Sequence, residues 1–164
     1  YTAVPDSSVP FAREWGMRVT VEDLRRVVRK AQRRGGEVVV GGHSLGGTVA
    51  AIDAEQHDLD AQAPVTGLLL YASYPASDMG ESLSSAVLSI SGTNDGLATP
   101  ADIDASRANL PASTEFLAVD GAVHAFFGDY GPQPGDGTPT ITHDEARAQI
   151  GEASVSFVDG VASS

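Results

Sequence analysis

One serine of this sequence lies where its hydroxyl could become a nucleophile. Ser44 belongs to Gly-Gly-His-Ser-Leu-Gly-Gly at 41–47, which directly follows three valines at 38–40. A short buried strand that ends in glycines and leads into small, helix-compatible residues predicts a sharp strand-to-helix turn with the serine at its tip. A glycine-rich turn with an incidental serine would have the same sequence, so the placement of other reactive side chains has to distinguish between the two interpretations.

The neighbours of Ser44 suit such a turn. Small residues at Gly42 and Gly46 should avoid clashes, and Gly47 should let the strand and the following helix approach closely. The backbone N–H of Leu45 would point, with the positive end of the helix, at the place where an oxyanion forms. These positions predict attack of a serine on a carbonyl carbon.

A serine hydroxyl attacks readily only when a base takes its proton, and four histidines compete for that role. His43 adjoins the serine but should point away from it, His57 lies near the end of a helix, and His143 lies beside a helix cap. His124 instead lies in a loop just past the fourth predicted strand, where its imidazole could reach over Ser44. We expect His124 to be the base.

The base also needs a carboxylate to orient it, and Asp95 is the best placed. It lies in Ser-Gly-Thr-Asn-Asp-Gly at 91–96, directly after the third predicted strand, so it should reach the same rim of the sheet. Asp120 is the second candidate. The remaining rivals have helix-terminal or turn roles and are Asp78, Asp102, Asp104 and Asp129.

The elements that must position these side chains alternate between helix and strand. Apolar runs predict strands over 38–40, 65–72, 86–91 and 114–119, and helical spacing predicts helices that begin near Thr20 as N-cap, Leu45, Pro100 and Thr142. Connections of this length favour an α/β fold with a mostly parallel sheet, helices on both faces and the strand 38–40 in its centre. We expect one domain over 1–164, with an irregular lead-in at 1–19 and a loop at 121–139.

Four motifs carry a wider resemblance, and they follow one another in the order serine, aspartate, histidine. They are the stretch 41–47, Tyr-Ala-Ser-Tyr-Pro at 71–75, Gly-Thr-Asn-Asp-Gly-Leu-Ala-Thr-Pro at 92–100, and His124 with Gly-Asp-Tyr-Gly-Pro-Gln-Pro-Gly-Asp-Gly at 128–137. With them the chain resembles the α/β-hydrolase superfamily, and from Val38 onward its small, lidless dienelactone-hydrolase-like branch. The resemblance implies carboxylic-ester hydrolysis through an acyl-enzyme, without metal or organic cofactor. Serine replaces the cysteine of true dienelactone hydrolases, which argues against a dienelactone substrate.

The front of the chain departs from that family. Its members have several strands before the nucleophile strand, whereas one predicted helix precedes Val38 here, so the loop that supplies their second oxyanion N–H is missing. We therefore expect a domain that is incomplete at its N-terminus, and a homo-oligomer or second polypeptide that completes the sheet at an exposed strand edge. Two alternatives stay open, namely an inactive half-domain or interaction module, and an acyltransferase that uses the same triad.

The expected substrate is a small or soluble ester, because the connection between the second and third strands is too short for a large lid. Tyr74, Phe126 and Phe127 are candidate walls of the substrate pocket. Packing in the core is an equal alternative for the two phenylalanines.

The charge distribution argues against two kinds of partner. The 164 residues carry a formal net charge of −12, with eight Arg and Lys against four Asp and Glu in 1–34, and two against eighteen in 35–164. Such an acidic body would repel phosphate backbones and anionic lipids, so neither nucleic acid nor a membrane is an expected partner. The basic cluster at 25–34 falls late in a helix, where cations favour the carbonyl end. With no cysteine, disulfides, thiolate metal sites and a cysteine nucleophile are excluded, but this assigns no compartment. No apolar run approaches the length of a bilayer span, so a soluble protein is expected, with the cytoplasm slightly favoured.

Overall fold

Four parallel strands form one sheet, and their order across the sheet is the same as their order along the chain. The computed structural model describes residues 16–60 and 65–163, and within them every neighbouring pair of strands is parallel. The predicted α/β class is confirmed. The elements are α1 (Met17–Gln32), β1 (Val39–His43), α2 (Leu45–Asp60), β2 (Gly67–Tyr71), β3 (Ala86–Gly92), α3 (Pro100–Ser106), a 3₁₀ helix (Arg107–Asn109), β4 (Glu115–Val119), a second 3₁₀ helix (His124–Phe127) and α4 (His143–Ala162).

The first helix begins earlier than predicted. α1 starts at Met17 with Gly16 as N-cap, so residues 17–19 are helical and not part of an irregular lead-in, whereas the rest of that prediction, 1–15, lies outside the described residues. Thr20 is not the N-cap, because its hydroxyl donates to the carbonyl of Gly16, four residues back, at 3.2 Å. A threonine near a helix start can bond in either direction, and its identity alone does not fix the boundary.

Helices cover both faces of the sheet, as predicted. On one face, Val28 of α1 and Ala51 of α2 belong to a buried cluster with Leu68 of β2. On the other face, Ala146 of α4 belongs to a cluster with Leu69 of the same strand. Successive side chains of a strand point to opposite faces, so a strand covered on both sides is apolar at every position.

A buried carboxylate lies between α1 and α2. Asp53 is fully buried, with one oxygen 3.9 Å from Arg25 Nε and the other 3.5 Å from His57 Nδ1. Arg25, one residue of the basic cluster at 25–34, also donates to Gln56 at 2.7 Å, so its side chain reaches from α1 to α2. Burial, the largest influence, raises the pKa of Asp53, although His57, Arg25 and Arg29 act in the opposite direction.

β1 lies at an edge of the sheet and not in its centre, contrary to the prediction. Within residues 16–60 and 65–163 it pairs with β2 alone. The valine run does mark a buried segment, since Val40 is buried, but Gly41 is exposed. One row of N–H and C=O groups along β1 therefore has no strand beside it in the described part of the chain.

Reciprocal caps fix the starts of α3 and α4. The hydroxyl of Thr142, the predicted cap of the last helix, accepts from the N–H of Glu145, whose carboxylate accepts from the N–H of Thr142. Thr99 and Asp102 make the same pair of bonds at α3, so Asp102 serves a helix start as expected. Among the helices that the structure describes, none is long and apolar enough to cross a membrane.

Candidate active site

Ser44 forms a sharp turn between β1 and α2, which confirms the predicted strand-to-helix turn. Its φ of 54° lies in the left-handed region, a conformation that costs a non-glycine residue about 1–3 kcal/mol. The Ser44 N–H donates to the carbonyl of Tyr71 at 3.0 Å, and the Ser44 carbonyl accepts from the Ser73 hydroxyl at 2.6 Å. The end of β2 and the residues after it therefore hold the turn from the side.

The glycines around Ser44 have unequal roles. A Cβ at Gly42 would collide with the carbonyl of Gly46, and a Cβ at Gly47 would lie 2.6 Å from the Cβ of Ser73. The prediction that Gly46 must be small is wrong, because a Cβ there would have no neighbour within 4 Å. The steric restriction therefore applies to Gly42, because the main chain of Gly46 lies against it.

Asp95 and His124 meet beyond the carboxyl ends of β3 and β4. Their side chains are buried, and His124 Nδ1 lies 2.8 Å from Asp95 Oδ2. The other carboxylate oxygen, Oδ1, accepts the N–H groups of Leu97 and Ala98 at 2.8 Å each, which fixes its orientation. A carboxylate can only accept, so the imidazole proton belongs on Nδ1 and Nε2 is left as an acceptor. His124 Nε2 is buried and makes no hydrogen bond within the described part of the chain.

Ser44 and His124 line one cavity of about 250 Å³. Its wall also contains Leu45 and Tyr74, so the structure brings these four sequence candidates to one space. Leu45 is the first residue of α2, and the N–H at that position has no partner inside the helix. The other lining residues are Thr48, Ala72, Ser73, Leu97 and Ala98.

Phe126 and Phe127 do not line this cavity, which corrects the expectation that they wall the substrate pocket. They belong to the 3₁₀ helix that begins at His124, and its tight turn takes their rings to other surroundings. Phe126 stacks on His143 with ring centroids 5.0 Å apart, and both phenylalanines pack against the core beneath α4. The alternative of core packing is the one that the structure supports.

Two other sequence candidates take structural roles. Asp120, the second candidate for the orienting carboxylate, accepts the hydroxyl of Thr93 at 3.0 Å. His57 lies between α1 and α2, where its Nδ1 is 2.9 Å from the carbonyl of Asp53.

His43, which was expected to point away from Ser44, lies beside His124 and is not among the residues that line the cavity of Ser44. The two ring centroids are 4.5 Å apart, and His43 also stacks with Tyr130 at 5.8 Å, because the loop after His124 folds back over it. Burial first, and then the neighbouring His124, lower the pKa of His43 against the opposite effect of Asp95. A neutral ring can pack against His124 without charge repulsion.

Asp136, which was not among the candidates predicted from the sequence, binds the main chain around His124 with its carboxylate. It accepts the N–H groups of His124 at 3.0 Å, Ala125 at 2.9 Å, Gly96 at 3.2 Å and Gly137 at 2.8 Å. Burial alone would raise the pKa of this carboxyl, but the four main-chain bonds outweigh burial and hold the pKa below its usual value. The available signal was an aspartate between two glycines, a pattern that favours bonds to nearby backbone.

This arrangement can move a proton from an alcohol and receive a developing oxyanion. An imidazole that is held at Nδ1 and free at Nε2 is a competent base, and a serine at a helix start has a backbone donor beside it. Within the described residues, no group of three or more His, Cys, Asp or Glu side chains could hold a metal ion.

Known proteins share this sequence pattern and fold. A model of the alpha/beta hydrolase family matches residues 17–148. A search of curated proteins gave no match. The chain spans half of the length of an alpha-beta serine hydrolase homologue from Coxiella burnetii. Several solved structures have a similar fold. A protein provisionally named dienelactone hydrolase from Klebsiella pneumoniae is 18% identical over 94% of this chain and 68% of that chain, with a TM-score of 0.66. A thermophilic esterase from Thermogutta terrifontis is 15% identical over 90% of this chain and 74% of that chain (TM-score 0.64), and a carboxylesterase from Nitrososphaera gargenis is 12% identical over 90% and 73% of the two chains (TM-score 0.63).

Proposed function

This chain belongs to the alpha/beta hydrolase family, and we propose that it is a serine hydrolase that cleaves carboxylic esters through an acyl-enzyme intermediate. The family match confirms the resemblance seen in the sequence, and the fold is shared with esterases and with a dienelactone hydrolase-like protein. One observation carries the proposal. His124, oriented at Nδ1 by Asp95 and without a partner at Nε2 in the described chain, lines the same cavity as Ser44.

In the first half-reaction, His124 Nε2 takes the hydroxyl proton of Ser44 while Oγ attacks the ester carbonyl carbon. The carbonyl π electrons move to oxygen and give a tetrahedral oxyanion, and the carboxylate of Asp95 stabilises the imidazolium. When the oxyanion collapses, the bond from carbon to the alcohol oxygen breaks and His124 returns its proton to that oxygen. Ser44 is left as an ester of the acyl group.

In the second half-reaction, water replaces the departed alcohol. His124 takes a proton from the water as its oxygen attacks the acyl carbon, and the bond to Ser44 Oγ then breaks. Oγ recovers the proton and the free acid leaves. An alcohol in place of water would give acyl transfer through the same residues.

The oxyanion in both halves would be received by the N–H of Leu45, at the positive end of α2. A second backbone donor is expected from a strand that pairs with the edge of β1 that has no neighbour among the described residues, supplied by a second copy of the chain or by another polypeptide. One missing donor costs about 10² to 10³ in rate. Pairing of such a strand with β1 should therefore raise the rate of the proposed enzyme by a similar factor.

The substrate class follows from the cavity wall. Its lining residues include hydroxyls and small apolar groups, and none that the structure describes is Arg or Lys, so an uncharged ester is favoured over one that carries a carboxylate. The segment 72–85 between β2 and β3 has neither helix nor strand, and no helical lid arises there. Small, soluble esters fit this space.

A fluorophosphonate probe tests the proposed nucleophile. We expect a covalent adduct on Ser44 in folded protein and no adduct after Ser44→Ala, whereas Ser156→Ala, at an exposed position of α4, should label like the parent protein. Fractionation by size before labelling assigns the activity to the single chain or to a larger assembly. A folded protein that stays unlabelled in every fraction would overturn the proposal.

A further inference from the structure

The carboxylate of Asp136 bridges the two loops that carry Asp95 and His124. Its Oδ1 accepts the N–H of His124 at 3.0 Å and the N–H of Gly96 at 3.2 Å, and its Oδ2 accepts the N–H of Ala125 at 2.9 Å. Gly96 directly follows Asp95, and Ala125 directly follows His124. One side chain therefore fixes the separation of the two loops at their main chains.

A charged carboxylate is the side chain that satisfies all of these donors. Oδ1 also accepts the N–H of Gly137 at 2.8 Å, so three donors converge on one oxygen and Ala125 binds the other. An amide of the same shape would turn an N–H₂ group towards either Ala125 or the other three donors. The lowered pKa of Asp136 has the same cause and keeps the group charged at neutral pH.

The segment around Asp136 is seated directly against the loop of Asp95. A Cβ at Gly96 would lie 2.5 Å from the carbonyl oxygen of Gly135, and a Cβ at Gly137 would collide with the carbonyl of Asn94. The side-chain amide of Asn94 donates to the carbonyl of Thr138 at 2.9 Å. Close packing and hydrogen bonds therefore hold Asp136 in one place relative to the loop it binds.

We propose that Asp136 is a positioning residue, which holds the backbone of His124 so that its imidazole meets both Asp95 and the cavity of Ser44. This role rests on the proposed ester hydrolysis, in which His124 is the base. Misplacement of a reacting group by about 1 Å can cost on the order of 10²-fold in rate. Asp136 touches no substrate in this assignment, because it does not line the cavity.

The kinetic test compares Asp136→Asn with Asp129→Asn in p-nitrophenyl acetate hydrolysis. Both variants remove one negative charge from the same loop, but Asp129 is exposed and has no bond to the main chain of His124. We expect Asp136→Asn to lower kcat on the order of 10²-fold with little change in KM, and Asp129→Asn to behave like the parent protein. Equal activity of all three proteins would overturn the assignment.

NMR signals of the histidine rings in ¹⁵N-labelled protein distinguish a positioning role of Asp136 from a general loss of structure in the variant. The Nδ1–H of His124 is identified by its absence in His124→Gln, and His57, buried between α1 and α2, serves as an internal reference. In Asp136→Asn the His124 signal should shift or broaden while that of His57 stays in place. If both signals change together, Asp136 is structural and the proposal is wrong.

The two proposals fail in different ways. If the parent protein shows neither ester turnover nor a Ser44 adduct, the proposed function fails, yet the ring signals still show whether Asp136 fixes His124. If the parent protein is active and Asp136→Asn leaves the His124 signal unchanged, the positioning role fails and the proposed function stands.

Discussion

Replacing Asp95 by asparagine should place the imidazole proton of His124 on the wrong nitrogen. Oδ1 of Asp95 accepts the N–H groups of Leu97 and Ala98, both at 2.8 Å, while Oδ2 faces His124 Nδ1. In Asp95→Asn the amide oxygen has to take the place of Oδ1, because an N–H₂ group there would face two donors. The N–H₂ group then faces Nδ1, the ring proton moves to Nε2, and His124 can no longer accept a proton from Ser44.

The same contacts set the size of the effect. To restore the active tautomer the amide must flip, which forfeits two hydrogen bonds from backbone N–H groups. At about 1–3 kcal/mol for each donor left unsatisfied, the active form lies about 2–6 kcal/mol above the inactive one. That gap corresponds to a fall in kcat of roughly 30-fold to 10⁴-fold. KM should change little, because Asp95 does not line the cavity.

Initial rates with p-nitrophenyl acetate measure this fall, and Asp120→Asn is the matched control. Asp120 accepts the hydroxyl of Thr93 and was the second candidate for the orienting carboxylate, so its amide variant should retain the parent rate. Circular dichroism checks that both variants are folded. The reasoning is refuted if Asp95→Asn keeps its rate, and still more clearly if Asp120→Asn is the variant that loses it.

Two further expectations concern stability. Gly42→Ala should lower the free energy of unfolding by about 1–3 kcal/mol, because its methyl group collides with the carbonyl of Gly46, whereas Gly46→Ala should be neutral or stabilising by up to about 1 kcal/mol. Urea unfolding measures both, and equal losses would contradict the described turn. Because burial raises the pKa of Asp53 despite Arg25, Arg29 and His57, its contribution to stability should be lost as the pH rises above about 4, the pKa of an unfolded aspartate. Asp53→Asn should remove that loss, so the urea midpoint of the variant should rise relative to that of the parent protein between pH 4 and pH 7. If the urea midpoint of the variant instead falls relative to the parent over this range, the cations more than offset the effect of burial.

Local pattern was enough to predict the turn at Ser44 and the strands that lead to Asp95 and His124. Three valines followed by glycines specify a buried strand and a tight turn through short-range sterics, and both can be read from adjacent residues. Parallel strands end at one rim, so residues just beyond two of them were expected to meet, and Asp95 and His124 do so. The family likeness added the ester chemistry, which the spacing alone does not specify.

Contacts made by the main chain were beyond prediction. Asp136 binds N–H groups of Gly96 and Ala125, and a backbone donor has the same chemistry at every residue, so no side-chain pattern marks the partner. The orientation of His43 depends on how the loop after His124 folds back, which is a tertiary effect. For Phe126 the sequence left the pocket and the core as equal alternatives, because the tight 3₁₀ turn at His124 has no distinct periodicity in four residues.

The strand order also determines the distance that the loop carrying His124 has to span. β1 and β4 are opposite edges of the described sheet, three strand spacings or about 14 Å apart, so the loop that carries His124 has to recross the ends of its neighbours to reach Ser44. It does so over small residues: a Cβ at Gly92, the last residue of β3, would collide with the carbonyl of Ala122 in that loop, and Ala72 follows the end of β2. A larger residue at either strand end would displace the loop that carries His124 away from the sheet. Such a residue would increase the distance between His124 and Ser44, the proposed base and nucleophile.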